Sequence, residues 1–122
     1  MELNDLTYKI RGAIFKVHAS LGPGLLESVY VAALAYELMQ ITLSIQTQVG
    51  VPVNYNDVKL ELGFRLDILV EDQVIVEVKS VDALHDVHKK QLLTYLKLTG
   101  KKIGILVNFN VATLKDKESL IR

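Results

Sequence analysis

The chain has 122 residues, half of them hydrophobic, with seven glycines and two prolines. That is enough for one domain with a real core, and it argues against disorder. With no cysteine and only His18, His85 and His88 as histidines, disulfides and thiolate metal sites are excluded, and a histidine-rich zinc site lacks ligands. The formal net charge is zero, so nucleic acid has no global electrostatic footprint to find. Lys89, Lys90, Lys97, Lys101 and Lys102 cluster locally, as they also would on an ordinary charged helix face.

Asn4 or Asp5 can cap a first helix whose apolar stripe is Leu6, Ile10, Ala13, Ile14, Val17 and Leu21. Gly22 stops it, and Pro23 is placed to open the first turn of a second helix reaching Met39 or Gln40. Glu27, Val31, Leu34 and Leu38 fall on one face of that helix. A carboxylate at the head of an apolar stripe is costly unless something requires it. The alternative is a favourable contact with the helix N-terminus while the side chain reaches water.

From 46 to 55 the pattern becomes a strand, with Val49, Val51 and Val53 alternating and Pro52 indicating an edge or a bulge. The turn chemistry of Asn54-Tyr55-Asn56-Asp57 leads to another strand near Val58, which can bend at Gly63. Two alternating arms follow, Phe64-Arg65-Leu66-Asp67-Ile68-Leu69-Val70 and Val74-Ile75-Val76-Glu77-Val78-Lys79, joined by a turn at Glu71-Asp72-Gln73. Phe64, Leu66, Ile68 and Val70 share one face with Val74, Val76 and Val78. Arg65, Asp67, Glu77 and Lys79 occupy the other. A turn centred on Asp72 sets Asp67 opposite Glu77 and Arg65 opposite Lys79, with Cβ atoms roughly 4.5–5.5 Å apart. Carboxylates that close need a shared proton or a cation; pairing with Arg65 and Lys79 on a solvated face is the alternative.

A third helix is expected over 86–99, ending at Gly100, with an inward stripe of Leu84, Val87, Gln91, Tyr95 and Leu98, and Leu92 and Leu96 alongside. Gln91 puts an amide in that stripe, either as a satisfied core group or as part of a site. The apolar, β-branched run at 103–109 reads as a buried strand, and the tail from Asn110 gives no clear pattern. The element order is α-α-β-β-β-α-β, three antiparallel strands and then a crossover helix that sets the last strand parallel to a central one. The fold class is α/β, a mixed β-sheet flanked by helices.

Glu27, Asp67, Glu77, Lys79 and Gln91 each break the local pattern or place charge on a covered face, and such misfits gather at functional sites. Magnesium takes oxygen ligands and keeps several waters. Asp67 and Glu77 can supply two carboxylates and Val78 a carbonyl oxygen. Lys79 can orient an attacking water or neutralise charge on a phosphate. Glu27 can hold a second cation or a metal-bound water, and Gln91 can orient a carboxylate.

Asp67 followed by Glu77-Val78-Lys79 resembles the core of the PD-(D/E)XK nuclease superfamily, with Leu66 where its name has proline. Gln91-Leu92-Leu93-Thr94-Tyr95 is similar to the Q-x-x-x-Y element of its RecB-like branch. Gly24-Leu25-Leu26-Glu27-Ser28-Val29-Tyr30 resembles the signature of the GxxExxY protein family. The resemblance implies a restriction-endonuclease-like core over 1–122, one nuclease-like domain. It implies Glu27 as the acidic residue of the first helix, Asp67 and Glu77 as the metal pair, Lys79 as the catalytic lysine, and Gln91 with Tyr95 as the helix motif. Tyr95, Tyr30 and Arg65 are the candidates for touching substrate.

The expected activity is Mg2+- or Mn2+-dependent hydrolysis of phosphodiester bonds in DNA, with RNA as the second choice. The alternative is a catalytically silent module on the same scaffold that binds nucleic acid or protein. No apolar run approaches the ~18 residues of a membrane span, and the start Met-Glu-Leu-Asn-Asp is no signal peptide. The expected location is therefore cytoplasmic, without a membrane partner. The apolar content and a Pro52 edge strand make a homo-oligomer or a place in a larger assembly plausible.

Overall fold

The structure is a computed structural model describing residues 1–121. Helices α1 (Leu3–Leu21) and α2 (Glu27–Gln40) lead into β1 (Ile45–Gly50), a short ribbon of β2 (Val53–Tyr55) and β3 (Val58–Leu60), and then β4 (Arg65–Val70) and β5 (Val74–Lys79). Helix α3 (Asp86–Thr99), β6 (Ile103–Asn108) and β7 (Leu120–Ile121) complete the chain. The main sheet has the order β1-β4-β5-β6-β7. Its neighbours are antiparallel except β5 and β6, which α3 connects in parallel as the sequence implies. The result is the expected mixed α/β architecture, consistent with a restriction-endonuclease-like fold.

Two apolar clusters hold the three layers. On one face Ile10 and Ile14 of α1 and Leu34 and Leu38 of α2 meet Ile68 and Val76 of the sheet. On the other, Leu92 and Tyr95 of α3 meet Leu69, Ile75 and Leu106. Gly104 of β6 allows the closest approach, since a Cβ there would lie 2.6 Å from Leu92 Cδ1. The inward stripe of α3 is therefore narrower than expected. Leu92 and Tyr95 are buried and Leu84 and Leu96 pack beside them, whereas Val87 is 66% exposed and Leu98 lies at the surface.

Several local expectations are corrected. Helix α1 starts at Leu3 with Glu2 as its cap, so neither Asn4 nor Asp5 caps it. Pro23 lies in the connection, and α2 begins four residues later at Glu27. The connection is tied to the core instead: the Tyr30 hydroxyl accepts the Leu25 N–H (3.1 Å) and donates to Gly22 O (2.6 Å). Strand β1 stops before Val51 and Pro52, and β2–β3 forms a separate two-stranded ribbon. Proline cannot donate to a ladder, so the chain leaves the main sheet there and returns as β4 directly against β1. The tail also closes on the sheet: β7 pairs with β6, and Leu114 and Leu120 are buried.

The turn at 71–73 has left-handed backbone at Glu71 and Asp72, and the Gln73 N–H bonds to Val70 O. This sets Val70 against Val74 and Ile68 against Val76, the register centred on Asp72. Replacing Gly104 with Ala should lower the unfolding free energy by about 1–3 kcal/mol through overpacking. Urea denaturation measures it, and an unchanged midpoint would show that α3 is not seated on β6 as described.

Candidate functional site

The regular β4–β5 ladder runs from Val70 and Val74 to Ile68 and Val76. At the next rung side chains replace backbone carbonyls. The Asp67 N–H donates to Glu77 Oε1 (3.2 Å), and the Val78 N–H donates to Asp67 Oδ2 (2.8 Å). Each acid thus bonds the opposite strand's backbone, and the two carboxyls face one another. Beyond them the strands part, so the expected Arg65–Lys79 pairing does not form; Arg65 pairs with Gly50 of β1 instead. On the β1 side, Gln48, the register neighbour of Asp67, is left out of the ladder with φ 53°. Leu66 changes side at this irregularity and joins the α3 cluster rather than that of Ile68 and Val70.

Glu77 is 2% exposed. Burial first, then the charge of Asp67 and a hydrogen bond with its carboxyl, push the Glu77 carboxyl up to about 9, against a weaker opposing pull from Lys79. Without a cation, Glu77 keeps its proton at neutral pH and shares it toward Asp67. Lys79, half-buried, ends β5 two residues beyond Glu77 on the same face of the strand. Val78 meets the acids through its backbone alone, its side chain being buried in the α1–α2 cluster.

Glu27 reaches the strand end from the opposite layer. It is the first residue of α2, and its Oε2 accepts the Ser80 N–H (3.1 Å) while Ser80 Oγ donates to Leu25 O (2.6 Å). It is exposed, so its place at the head of the α2 stripe does not bury its charge. From α3, the Gln91 amide donates to the Tyr95 hydroxyl (3.2 Å). Burial raises the Tyr95 hydroxyl above its ordinary range, with Glu77 and Asp67 adding to the effect. Tyr95 therefore lies within electrostatic range of the pair, and Gln91 contacts it through that hydroxyl. Arg65 is exposed, its guanidinium 3.4 Å from Gln48 O. A cavity of about 220 Å3 opens beside it, lined also by Gly50, Pro52, Lys59 and Phe64.

Tyr30 is the clear correction among the candidates for touching substrate. It is 0% exposed and stacks on Phe109 at 4.6 Å, so it holds the 22–25 connection from within the core. Ser80 and Asn108 escaped the sequence reading. Ser80 works mainly through its backbone, which leaves no mark in a sequence. Asn108 did leave one, a polar residue in an apolar strand, and it is 1% exposed.

These features define a mixed-sheet α/β sandwich with a cross-strand carboxylate pair and a lysine beside the end of its central strand. A family model of the PD-(D/E)XK nuclease superfamily matches residues 4–121, and the chain belongs to that superfamily. Neither a curated protein nor a solved structure gives a significant match.

Two outcomes follow from this geometry. The folded protein holds the Glu77 proton up to about pH 9, while the unfolded chain releases it near its ordinary value of 4.5. Between those limits the folded state binds more protons, so metal-free stability is greatest at the acid end and falls as pH rises, by up to about 1.4 kcal/mol per unit. Urea unfolding from pH 5.5 to 8.5 in chelator should show this slope, and Glu77→Gln should flatten it; equal slopes in the two proteins would contradict the assignment. Tyr30→Phe should cost about 1–3 kcal/mol by leaving Gly22 O and the Leu25 N–H unpaired. Thermal or urea unfolding measures that loss, and an unchanged stability would remove the structural role given to the hydroxyl.

Proposed function

We propose that this chain is a divalent-metal-dependent nuclease hydrolysing phosphodiester bonds of DNA, with RNA as a second substrate class, and that residues 1–122 form one nuclease-like domain. The observation that carries this reading is the Asp67–Glu77 pair, locked by mutual backbone bonds and followed on the same strand by Lys79. The Gly24, Glu27 and Tyr30 spacing places the chain, in this reading, in the GxxExxY family.

The donor set fits a hard cation. Two facing carboxylates, one of them buried and holding a proton in the cation's absence, are the kind of pair that a positive charge relieves. Among the described residues no group of three or more His, Cys, Asp or Glu could form a cage of protein ligands alone. That suits Mg2+ or Mn2+, which take one or two carboxylates and fill the remaining positions with waters and phosphate oxygens. Asp67 and Glu77 would hold the ion, with the Val78 carbonyl as a further oxygen and Glu27 as a ligand of a second ion or of a bound water. When bound, the ion lowers the pKa of a water and stabilises charge on the phosphate.

The chain's own residues do the rest. Lys79 orients the nucleophilic water and offsets charge developing on the phosphate oxygens. Gln91 and Tyr95 support the carboxylate pair from α3. Arg65, exposed beside its cavity, contacts the nucleic-acid backbone.

Asp67→Asn and Lys79→Ala should each reduce cleavage of plasmid or single-stranded DNA by at least about a hundredfold, with unfolding midpoints that show both variants folded. Calorimetric titration with Mn2+ at pH 7 should release roughly one proton per ion bound as Glu77 ionises, and the affinity should rise with pH. Variants that cut as well as the parent would overturn the residue roles. Metal binding without cleavage of any nucleic acid would leave a silent binding module on this scaffold.

A further inference from the structure

Asn108 is the register partner of Lys79 in the parallel β5–β6 ladder, and β5 ends at Lys79. Its buried carboxamide carries the pairing two residues past the end of β5, to Val81. Oδ1 accepts the Val81 N–H (3.0 Å) and the Asn110 N–H (3.2 Å), while Nδ2 donates to Val81 O (2.8 Å). A primary amide carries a donor and an acceptor and so serves both polar groups of Val81 at once; a carboxylate, which only accepts, or an apolar side chain cannot. Asn108 is itself fixed by its own N–H bond to Ser119 O (2.8 Å) and by the neighbouring Phe109 N–H bond to Lys79 O (3.0 Å).

Three consecutive residues are thus tied to three different parts of the fold. Lys79 is held by the ladder, Val81 by Asn108 with a longer bond from Asn110 Nδ2 to Val81 O (3.3 Å), and Ser80, between them, by Glu27 and Leu25 at the start of α2. The direction of the Ser80 N–H depends on both flanking residues being fixed. That N–H is the bond the structure gives the exposed Glu27 carboxylate.

We propose that Asn108 is a positioning residue: by clamping Val81 it aims the Ser80 N–H at Glu27, and so sets the Glu27 carboxylate beside the strand end that carries Lys79. The role rests on the nuclease reading for its effect on turnover, whereas the Asn108–Ser80–Glu27 link stands on hydrogen bonds alone.

The test compares Asn108→Ala, the isosteric Asn108→Asp, Glu27→Gln and the double variants, in the full chain with Mn2+ and plasmid DNA. Residues that orient a site's ligands from behind typically change activity by about ten- to a hundredfold. Asn108→Ala is expected to lower kcat by that factor with KM nearly unchanged. In the Glu27→Gln background it should add little, because the group it positions is already altered. A second readout is amide exchange: the Ser80 N–H, whose own partner is intact, should exchange at least about tenfold faster in Asn108→Ala while Val76 and Leu106 stay protected. Asn108→Asp, which keeps both acceptor bonds but sets an oxygen against Val81 O where Nδ2 donated, should raise Ser80 exchange in the same direction, and it serves if the alanine variant does not fold.

Losses that multiply fully with Glu27→Gln, or exchange that rises equally across β5 and β6, would make Asn108 a general stabiliser and overturn the proposal. If the parent cuts no nucleic acid, the nuclease reading falls, and Ser80 exchange by itself then decides the link.

Discussion

Everything near the end of the central strand depends on one exchange of hydrogen bonds between β4 and β5. At Asp67 and Glu77 the strands begin to part, which would strand two backbone N–H groups in a region with little water, at a cost of several kcal/mol if left unpaired. The two carboxyls take those N–H groups, each from the opposite strand. The acids are therefore structural and chemical at once. Their mutual approach carries an electrostatic penalty that a proton on Glu77 relieves in the metal-free protein and that a cation can relieve equally well. The geometry that closes the hairpin is the same geometry that sets the two carboxyls against one another.

The start of α2 shows how a short spacing pattern can be built from unlike physical tasks. Gly24, at φ 96°, takes a backbone turn that a side chain would resist. Tyr30, one helical turn inside α2, reaches back to bond the same connection while its ring stacks on Phe109. Glu27 then stands at the helix N-terminus, where negative charge is favoured, and meets Ser80 across the strand end. The glutamate meets the strand end through the Ser80 N–H. The glycine and the tyrosine fix the platform from which it projects, which is why a residue that looked like a substrate contact proves to be core.

Much of this was legible in the sequence where the signal is local. The bounds of α3, the stop at Gly100, the parallel placement of β6 and the register that opposes Asp67 to Glu77 all follow from periodicity and turn chemistry. What escaped depends on partners distant in the chain. Alternation alone assigned Leu66 to the face of Ile68, because the left-handed Gln48 that disturbs the pleat lies on another strand. Helical spacing alone put Val87 and Leu98 on the inward stripe, but α3 touches the sheet over a narrow contact centred on Gly104, and its two ends overhang. The tail shows no period because side-chain and turn bonds between Lys115 and Ser119 shape it. The bond between the Ser80 N–H and Glu27 is made by backbone and leaves no side-chain pattern to read.

The candidate site lies at the end of β5, which both helical layers approach. It is the middle strand of the sheet, antiparallel to β4 on one side and parallel to β6 on the other. Its antiparallel neighbour supplies Asp67 from a hairpin, where register is set within a few residues. Its parallel neighbour supplies Asn108 at the same level as Lys79. Helix α2 meets the strand end from one face through Glu27, and Tyr95 of α3 approaches the acids from the other. A chain of zero net charge can thus concentrate opposed charges at one strand end, because the fold, and not the overall composition, decides where they meet.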